Sequence, residues 1–128
     1  RRQRQMCIRD RLRIGTHHGG HLAQNGGVAQ VCLLDRYINE DYKNASLTDA
    51  IEHIDHMVKV AGIDHVGIGS DFDGGGGIIG CESDNDFIQI TVKLIEKGYT
   101  EEDIAKIWGG NLMRVLDEVQ ATASVKTL

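Results

Sequence analysis

The sequence has little of what would place it in several large protein classes. Its three cysteines, Cys7, Cys32 and Cys81, lie far apart and form no CxxC pair, which argues against a disulfide framework and against a zinc knuckle. No apolar run reaches the roughly 20 residues that span a bilayer, and no signal-peptide pattern opens the chain. We therefore expect a soluble protein without a membrane span, in the cytoplasm or the periplasm.

Positive charge is scarce outside the first 14 residues. That stretch holds six Arg and one Asp, a local charge of +5, so the remaining 114 residues carry −10 of a chain whose net charge is −5. A basic segment can bind nucleic acid. Residues 1–14, however, contain no aromatic residue that could stack on a base, and the rest of the chain is acidic. We expect no nucleic-acid partner. Residues 1–20 are interpreted as a disordered or foreign leader, 21–123 as the folded body and 124–128 as a tail.

Apolar periodicity predicts an α/β fold. The run 26–34 reads as a strand buried on both faces, as in a parallel sheet, and 64–70 reads as a second one. Ser46 and Asp49 form a capping-box start for an amphipathic helix over 47–61. Residues 35–45 are polar and are predicted to be a loop. We expect two adjacent parallel strands with 47–61 as the crossover helix between them.

Three further helices are predicted after the second strand. The first begins near Ser83 and buries five side chains, the second opens at 100–103, and the last follows the "GGN" at 109–111 and is amphipathic. The five inner side chains of the first are Phe87, Ile90, Thr91, Leu94 and Ile95. Two βα units cannot close a barrel, which needs about eight, so the chain reads as a piece of something larger.

The stretch "GSDFDG" (69–74) carries the candidate site. Side chains alternate along a strand, so Asp71 stands on the glycine face, at the carboxyl end, where parallel α/β proteins bind ligands. Asp73 falls on the same side but already in the loop, where we expect it to brace the glycines. "DFDGGGGIIGCE" lacks the oxygen ligands of a calcium loop, and no GK[ST] or GxGxxG phosphate motif is present.

The histidines are weaker candidates. His53 and His56 lie off the apolar stripe of the predicted helix and read as surface residues. His17, His18 and His21 cluster in a glycine-flanked stretch predicted to be a loop, but a zinc site there lacks a fourth ligand at suitable spacing. The sequence therefore predicts no metal site of its own.

Two stretches resemble the C-terminal part of the membrane (renal-type) dipeptidase family, of the metal-dependent amidohydrolase superfamily. They are "HIDHMVKVAGIDHVGIGSDFDG" (53–74) and "KGYTEEDIAKIWGGNLMRVL" (97–116), and "LAQNGGVAQVCL" (22–33) fits the family's preceding strand. The resemblance implies a (β/α)8 barrel, of which residues 21–123 would be the last two βα units and the C-terminal helices.

The resemblance also implies a function. Members hydrolyse dipeptides with two zinc ions, and Asp71 matches the aspartate that handles the proton of the metal-bridging hydroxide. Tyr37 matches a tyrosine near the substrate carboxylate. The family's zinc ligands have no counterpart in this chain, so we expect the fragment alone to be inactive. As partners, we expect small-molecule dipeptide substrates and, for the intact enzyme, a homo-oligomer. The alternative is a non-catalytic α/β structural or interaction module derived from such an enzyme.

Overall fold

In the computed structural model of the chain, the structure is described for residues 16–125. Within that range, no helix is long and apolar enough to cross a membrane. A π-helical turn (Lys106–Gly110) joins the last two helices. The helices are α1 (Thr16–Gln24), α2 (Asp35–Ile38), α3 (Leu47–Ala61), α4 (Phe87–Glu96), α5 (Glu101–Ala105) and α6 (Asn111–Val125), and the strands are β1 (Ala29–Val31) and β2 (Val66–Ile68).

The two strands are adjacent and parallel, and α3 is the crossover between them. Their register places Ala29 opposite Val66, Gln30 opposite Gly67, and Val31 opposite Ile68. The prediction from residues 26–34, 47–61 and 64–70 is therefore confirmed, although the regular part of each strand is shorter than predicted. A two-stranded sheet leaves the outer edge of each strand unpaired within the described residues.

The capping box at the start of α3 forms as predicted. The Asp49 carboxylate accepts the backbone N–H of Ser46 at 2.9 Å, and the Ser46 hydroxyl accepts the N–H of Asp49 at 3.4 Å. At the other end the helix stops at Gly62, whose φ of 94° a residue with a side chain rarely adopts. These two local signals fix the length of the crossover helix.

Two expectations about irregular segments are wrong. Residues 35–45 are not a plain loop, because they contain α2 and a 3-10 turn over Tyr42–Asn44. The N–H groups of Tyr37 and Ile38 donate to the Leu34 carbonyl at 2.8 and 3.2 Å, and Ile38 is buried. Burial of the apolar Ile38 side chain stabilises the helical turn in this otherwise polar stretch.

The histidine-bearing stretch after residue 15 is a helix rather than a loop. Helix α1 begins at Thr16, crosses the expected boundary between leader and body at residue 20, and packs against α3. The expectation that the leader is disordered is therefore wrong for residues 16–20. Residues 1–15 and 126–128 lie outside the described residues, and what was expected of them stays a prediction.

The core lies between the sheet and the helices that follow each strand. Ile90 and Leu94 of α4 are buried as predicted, but Ile95 is 60% exposed, so its assignment to the inner side is wrong. The buried cluster consists of Val31, Leu33, Ile38, Ala45, Leu47, Ala50, Ile51, Ile54, Met57, Val66, Ile78, Cys81, Ile90, Leu94 and Ile107.

Helix α6 holds the amino ends of both strands. Asn111, which is 3% exposed, donates from Nδ2 to the carbonyls of Ile63 and Val66 at 2.7 and 2.8 Å. Arg114 donates to the Gly26 carbonyl, just before β1, at 3.0 Å. Side-chain contacts from α6 thus lie at the amino ends of the strands, whereas Asp71 follows the carboxyl end of β2.

Candidate active site

The pairing of the strands continues past their regular part to their carboxyl ends. The N–H of Gly69 donates to the Val31 carbonyl at 2.8 Å, and the N–H of Leu33 donates to the Ser70 carbonyl at 3.1 Å. Because both chains run in the same direction, whatever follows Leu33 and Ser70 emerges on one edge of the sheet. Asp71 is the first side chain beyond that pairing.

The glycine-rich segment after Asp71 folds back over the same edge. The Gly77 N–H donates to the Leu33 carbonyl at 2.8 Å, and the Ile79 carbonyl accepts the N–H of Leu47 at 2.8 Å. The segment is therefore tied both to the end of β1 and to the start of α3. Backbone hydrogen bonds therefore hold this segment at the carboxyl ends of the strands.

Asp71 has a left-handed backbone, with φ 64° and ψ 26°. It is the one residue other than glycine with positive φ among those described, and this conformation costs an L-residue on the order of 1 kcal/mol or more. Its carbonyl accepts the N–H groups of Gly74 and Gly76 at 3.0 and 2.7 Å, which holds the strained conformation. The carboxylate itself is exposed at the edge of the sheet.

The alternation used to place Asp73 stops at Asp71. Residues Phe72–Gly74 form a 3-10 turn, so Asp73 does not follow the strand pleat. The Asp73 carboxylate is exposed and makes no hydrogen bond within the part of the chain that the structure describes. The expectation that Asp73 braces the glycines is wrong, since the Asp71 carbonyl does so instead.

Cys32 joins Asp71, a contact that sequence reasoning missed. Its Sγ donates to Asp71 Oδ2 at 3.5 Å across 39 residues of sequence. Partial burial raises the pKa of the Cys32 thiol, the N–H of Leu34 opposes that effect, and the Asp71 carboxylate adds to it as an acceptor and as a like charge. The one available signal was position, because Cys32 directly follows β1 and Asp71 lies three residues past the end of β2.

Tyr37 lies in α2, a few residues beyond the carboxyl end of β1. The residue is 45% exposed. No hydrogen bond joins it to Asp71 among the residues described. The structure thus places both predicted site residues beyond the same ends of the strands and brings only Asp71 into contact with a further functional group.

The histidines do not reach this edge as a group. His18 and His21 are exposed on α1, and His53 and His56 are half-buried on α3. His65 Nδ1 lies 2.7 Å from the Gly27 carbonyl, between the segments that precede the two strands. Across residues 16–125, no group of three or more His, Cys, Asp or Glu side chains is placed to hold a metal ion.

The chain is similar to known dipeptidases in sequence. A sequence model of the membrane dipeptidase family (peptidase family M19) matches residues 10–128. Dipeptidase ataJ of Aspergillus terreus is 38% identical over 104 residues, and dipeptidase aclJ of Aspergillus oryzae is 36% identical over 104 residues. Each match covers 80% of this chain and 25% of the relative. The chain therefore spans about a quarter of the length of these curated relatives.

Solved structures share its fold. The probable dipeptidase PvdM of Pseudomonas aeruginosa matches with a TM-score of 0.75 at 28% identity, over 83% of this chain and 40% of that one. A metallo peptidase of Rhodobacter sphaeroides, liganded with a phosphinate mimic of the dipeptide L-Ala-D-Ala, matches with a TM-score of 0.74 at 23% identity, over 80% of this chain and 30% of that one. With a match over residues 10–128, the chain belongs to the membrane dipeptidase family.

Proposed function

We propose that this chain is the C-terminal part of a zinc-dependent dipeptidase and that Asp71 is its proton-transferring residue. The observation that carries the proposal is the placement of Asp71. Its carboxylate stands exposed just past the paired carboxyl ends of two parallel strands, on a backbone held in a strained conformation. Strain of this kind clusters at functional sites.

The chemistry of peptide hydrolysis supplies the role. The attacking water must lose a proton, and the leaving amine must gain one. A single carboxylate in reach of both can accept the first proton and donate it to the second, a general acid–base role typically worth about 10²–10⁴ in rate. The exposed Asp71 carboxylate is the group of this chain that we assign to that transfer.

Tyr37 is proposed as a substrate-binding residue. Tyr37 is 45% exposed and lies on the short helix beyond β1. A phenol can donate to a substrate carboxylate there. The support is its position and the resemblance, and the substrates proposed are dipeptides because the relatives bear the name dipeptidase.

Metal ligands are assigned to the rest of the enzyme. The described residues do not fit a metal site, since they bring together no three side chains of suitable type. The two zinc ions implied by the resemblance belong, in this proposal, to the part of the longer enzyme outside this chain. We assign no step of the reaction to a metal held by these residues.

Two exposed apolar stripes support the proposal that the fold is one part of a (β/α)8 barrel. On α4, Ile88, Val92 and Ile95 are 60%, 39% and 60% exposed, although the opposite side of the same helix is buried. A helix that is apolar on both sides is normally covered on both. On α6 the exposed stripe consists of Leu112, Leu116 and Val119. We propose that the remaining βα units cover these stripes and the free strand edges.

A second function, a non-catalytic structural or interaction module, is favoured by the same stripes. Exposed apolar surface of this kind marks association sites, and such a module needs no metal. The two functions differ in what they need from the carboxylate. Replacing Asp71 removes turnover if the region serves an enzyme, and it changes nothing measurable if the region only binds a partner.

The test is a chimera of dipeptidase ataJ in which the 104 residues of this chain that align with it replace the matching quarter. Asp71→Asn keeps the shape of the side chain but cannot accept a proton, so kcat should fall by about 10²–10⁴. Zinc content, measured by elemental analysis after dialysis, and thermal unfolding should not change. Asp73→Asn is the matched control and should keep most of the turnover.

Two results would contradict the proposal. Near-normal turnover of Asp71→Asn beside a loss in Asp73→Asn would mean that the two carboxylates are assigned the wrong way round. Two tightly bound zinc ions on the 128-residue chain alone, found by equilibrium dialysis, would mean that the metal ligands lie within this chain after all.

A further inference from the structure

The backbone of Asp71 is fixed, and this leaves the orientation of its carboxylate to be explained. The two N–H groups that its carbonyl accepts hold φ and ψ and therefore the direction of Cβ. They do not determine the rotation of the carboxylate about the side-chain bonds. A group that transfers protons must present one oxygen at a defined position, since small misplacements are costly in rate.

Two contacts restrict that rotation. Cys32 Sγ, at the end of β1, lies 3.5 Å from Oδ2. Oδ1 lies against the backbone of Gly74, in the space that a Cβ at that position would fill. The carboxylate is thus bonded through one oxygen, while the other occupies a gap that exists only because residue 74 is glycine.

The alternative is that Cys32 is a small apolar filler, as half-buried cysteines often are. The geometry argues against it, because the thiol points at a charged oxygen rather than into the core. Partial burial and the adjacent carboxylate both raise the pKa of the thiol, so it keeps its proton near neutral pH and remains a donor. Within residues 16–125, Asp71 is the titratable side chain that acts on this thiol.

We propose that Cys32 and Gly74 are positioning residues that together set the orientation of the Asp71 carboxylate. Cys32 does so by donating to Oδ2, and Gly74 does so by leaving the space that Oδ1 occupies. No donor among the described residues binds Oδ1, so Oδ1 is the oxygen that exchanges protons. The part played in catalysis rests on the proposed function, whereas the arrangement of the three residues does not.

The first experiment measures alkylation of Cys32 by iodoacetamide across pH in the 128-residue chain. Peptide mass spectrometry separates Cys32 from Cys7 and Cys81. Asp71→Asn removes the charge beside the thiol, lowers the pKa of Cys32 and should raise its alkylation rate near neutral pH. The increase expected is about two- to fivefold, the range that one exposed charge interaction supplies.

Gly74→Ala tests the space around Oδ1. The new methyl group overlaps Oδ1, so the carboxylate must rotate away from the thiol, and Cys32 should react faster as in Asp71→Asn. Gly109→Ala is the matched control, because a Cβ there meets nothing within 4 Å. Asp73→Asn controls for the loss of a nearby charge. Wild-type rates in both Asp71→Asn and Gly74→Ala would overturn the proposal.

The second experiment asks whether the orientation matters for turnover. In the active chimera, Cys32→Ala should lower kcat with little change in KM, and Cys32→Ser, which keeps a donor, should restore most of it. Full turnover in Cys32→Ala would overturn the catalytic part of the proposal. Altered thiol reactivity together with normal turnover of Asp71→Asn would instead overturn the proposed function and leave the positioning geometry standing.

Discussion

Asn111 joins α6 to the amino end of β2, and its replacement should destabilise the fold. Its side chain is 3% exposed, and Nδ2 donates to the Ile63 and Val66 carbonyls at 2.7 and 2.8 Å. Asn111→Ala removes both donors. The Val66 acceptor is then left buried without this partner, and a buried group that loses its hydrogen bond costs about 1–3 kcal/mol.

The magnitude follows from these two bonds. The Ile63 carbonyl is less buried and can bind a water molecule instead, so the loss of its hydrogen bond to Asn111 adds about 0.5–1.5 kcal/mol. Together the change should lower the free energy of unfolding by about 2–4 kcal/mol. With an m-value of about 2 kcal/mol per molar urea, the middle of the usual range, the unfolding midpoint should fall by roughly 1–2 M.

The assay is urea unfolding of the 128-residue chain followed by circular dichroism. Asn85→Ala is the matched control, because Asn85 is exposed and its loss should change stability by less than about 0.5 kcal/mol. Equal midpoints for Asn111→Ala and Asn85→Ala would refute the reasoning. They would mean that α6 does not anchor the amino end of β2.

Two further predictions concern the hydrogen bond between Tyr99 and Asp55 of α3 and the turn that follows Asp71. Burial, and then the hydrogen bond of 2.8 Å that Tyr99 donates to Asp55, raise the pKa of the phenol. The stability that the protonated phenol contributes is present below its unfolded pKa of about 10 and is lost as pH rises toward its higher pKa in the folded state. Tyr99→Phe should therefore reduce the fall of the urea unfolding midpoint at alkaline pH. The same pH dependence in wild type and variant would contradict this. Gly76→Ala places a Cβ 2.7 Å from the Asp71 carbonyl oxygen and should lower the free energy of unfolding by about 1–3 kcal/mol. Gly109→Ala is the control and should lower it less. Equal losses of stability in thermal unfolding would contradict the geometry of this turn.

Local rules read from the sequence determined much of the fold. The capping box at Ser46 and Asp49 and the stop at Gly62 set α3 because hydrogen bonds at helix ends depend on residues a few positions apart. Buried-strand composition on both sides of that helix predicted the parallel pair. The same reasoning predicted Asp71 at the end of the second strand, because residue order alone puts it there.

The tertiary structure decided what local rules could not reach. Ile90 and Ile95 are equally apolar, and only the packing shows that the first is buried and the second is exposed. The contact between Cys32 and Asp71 crosses 39 residues, and neither side chain carries a sequence signal for the other. The left-handed backbone at Asp71 also ends the alternation of side chains between the two faces of the strand. The chain turns there, and the N–H groups of Gly74 and Gly76 donate to the Asp71 carbonyl. Sequence fixes hydrogen bonds made along the chain, whereas contacts between distant segments depend on how those segments pack.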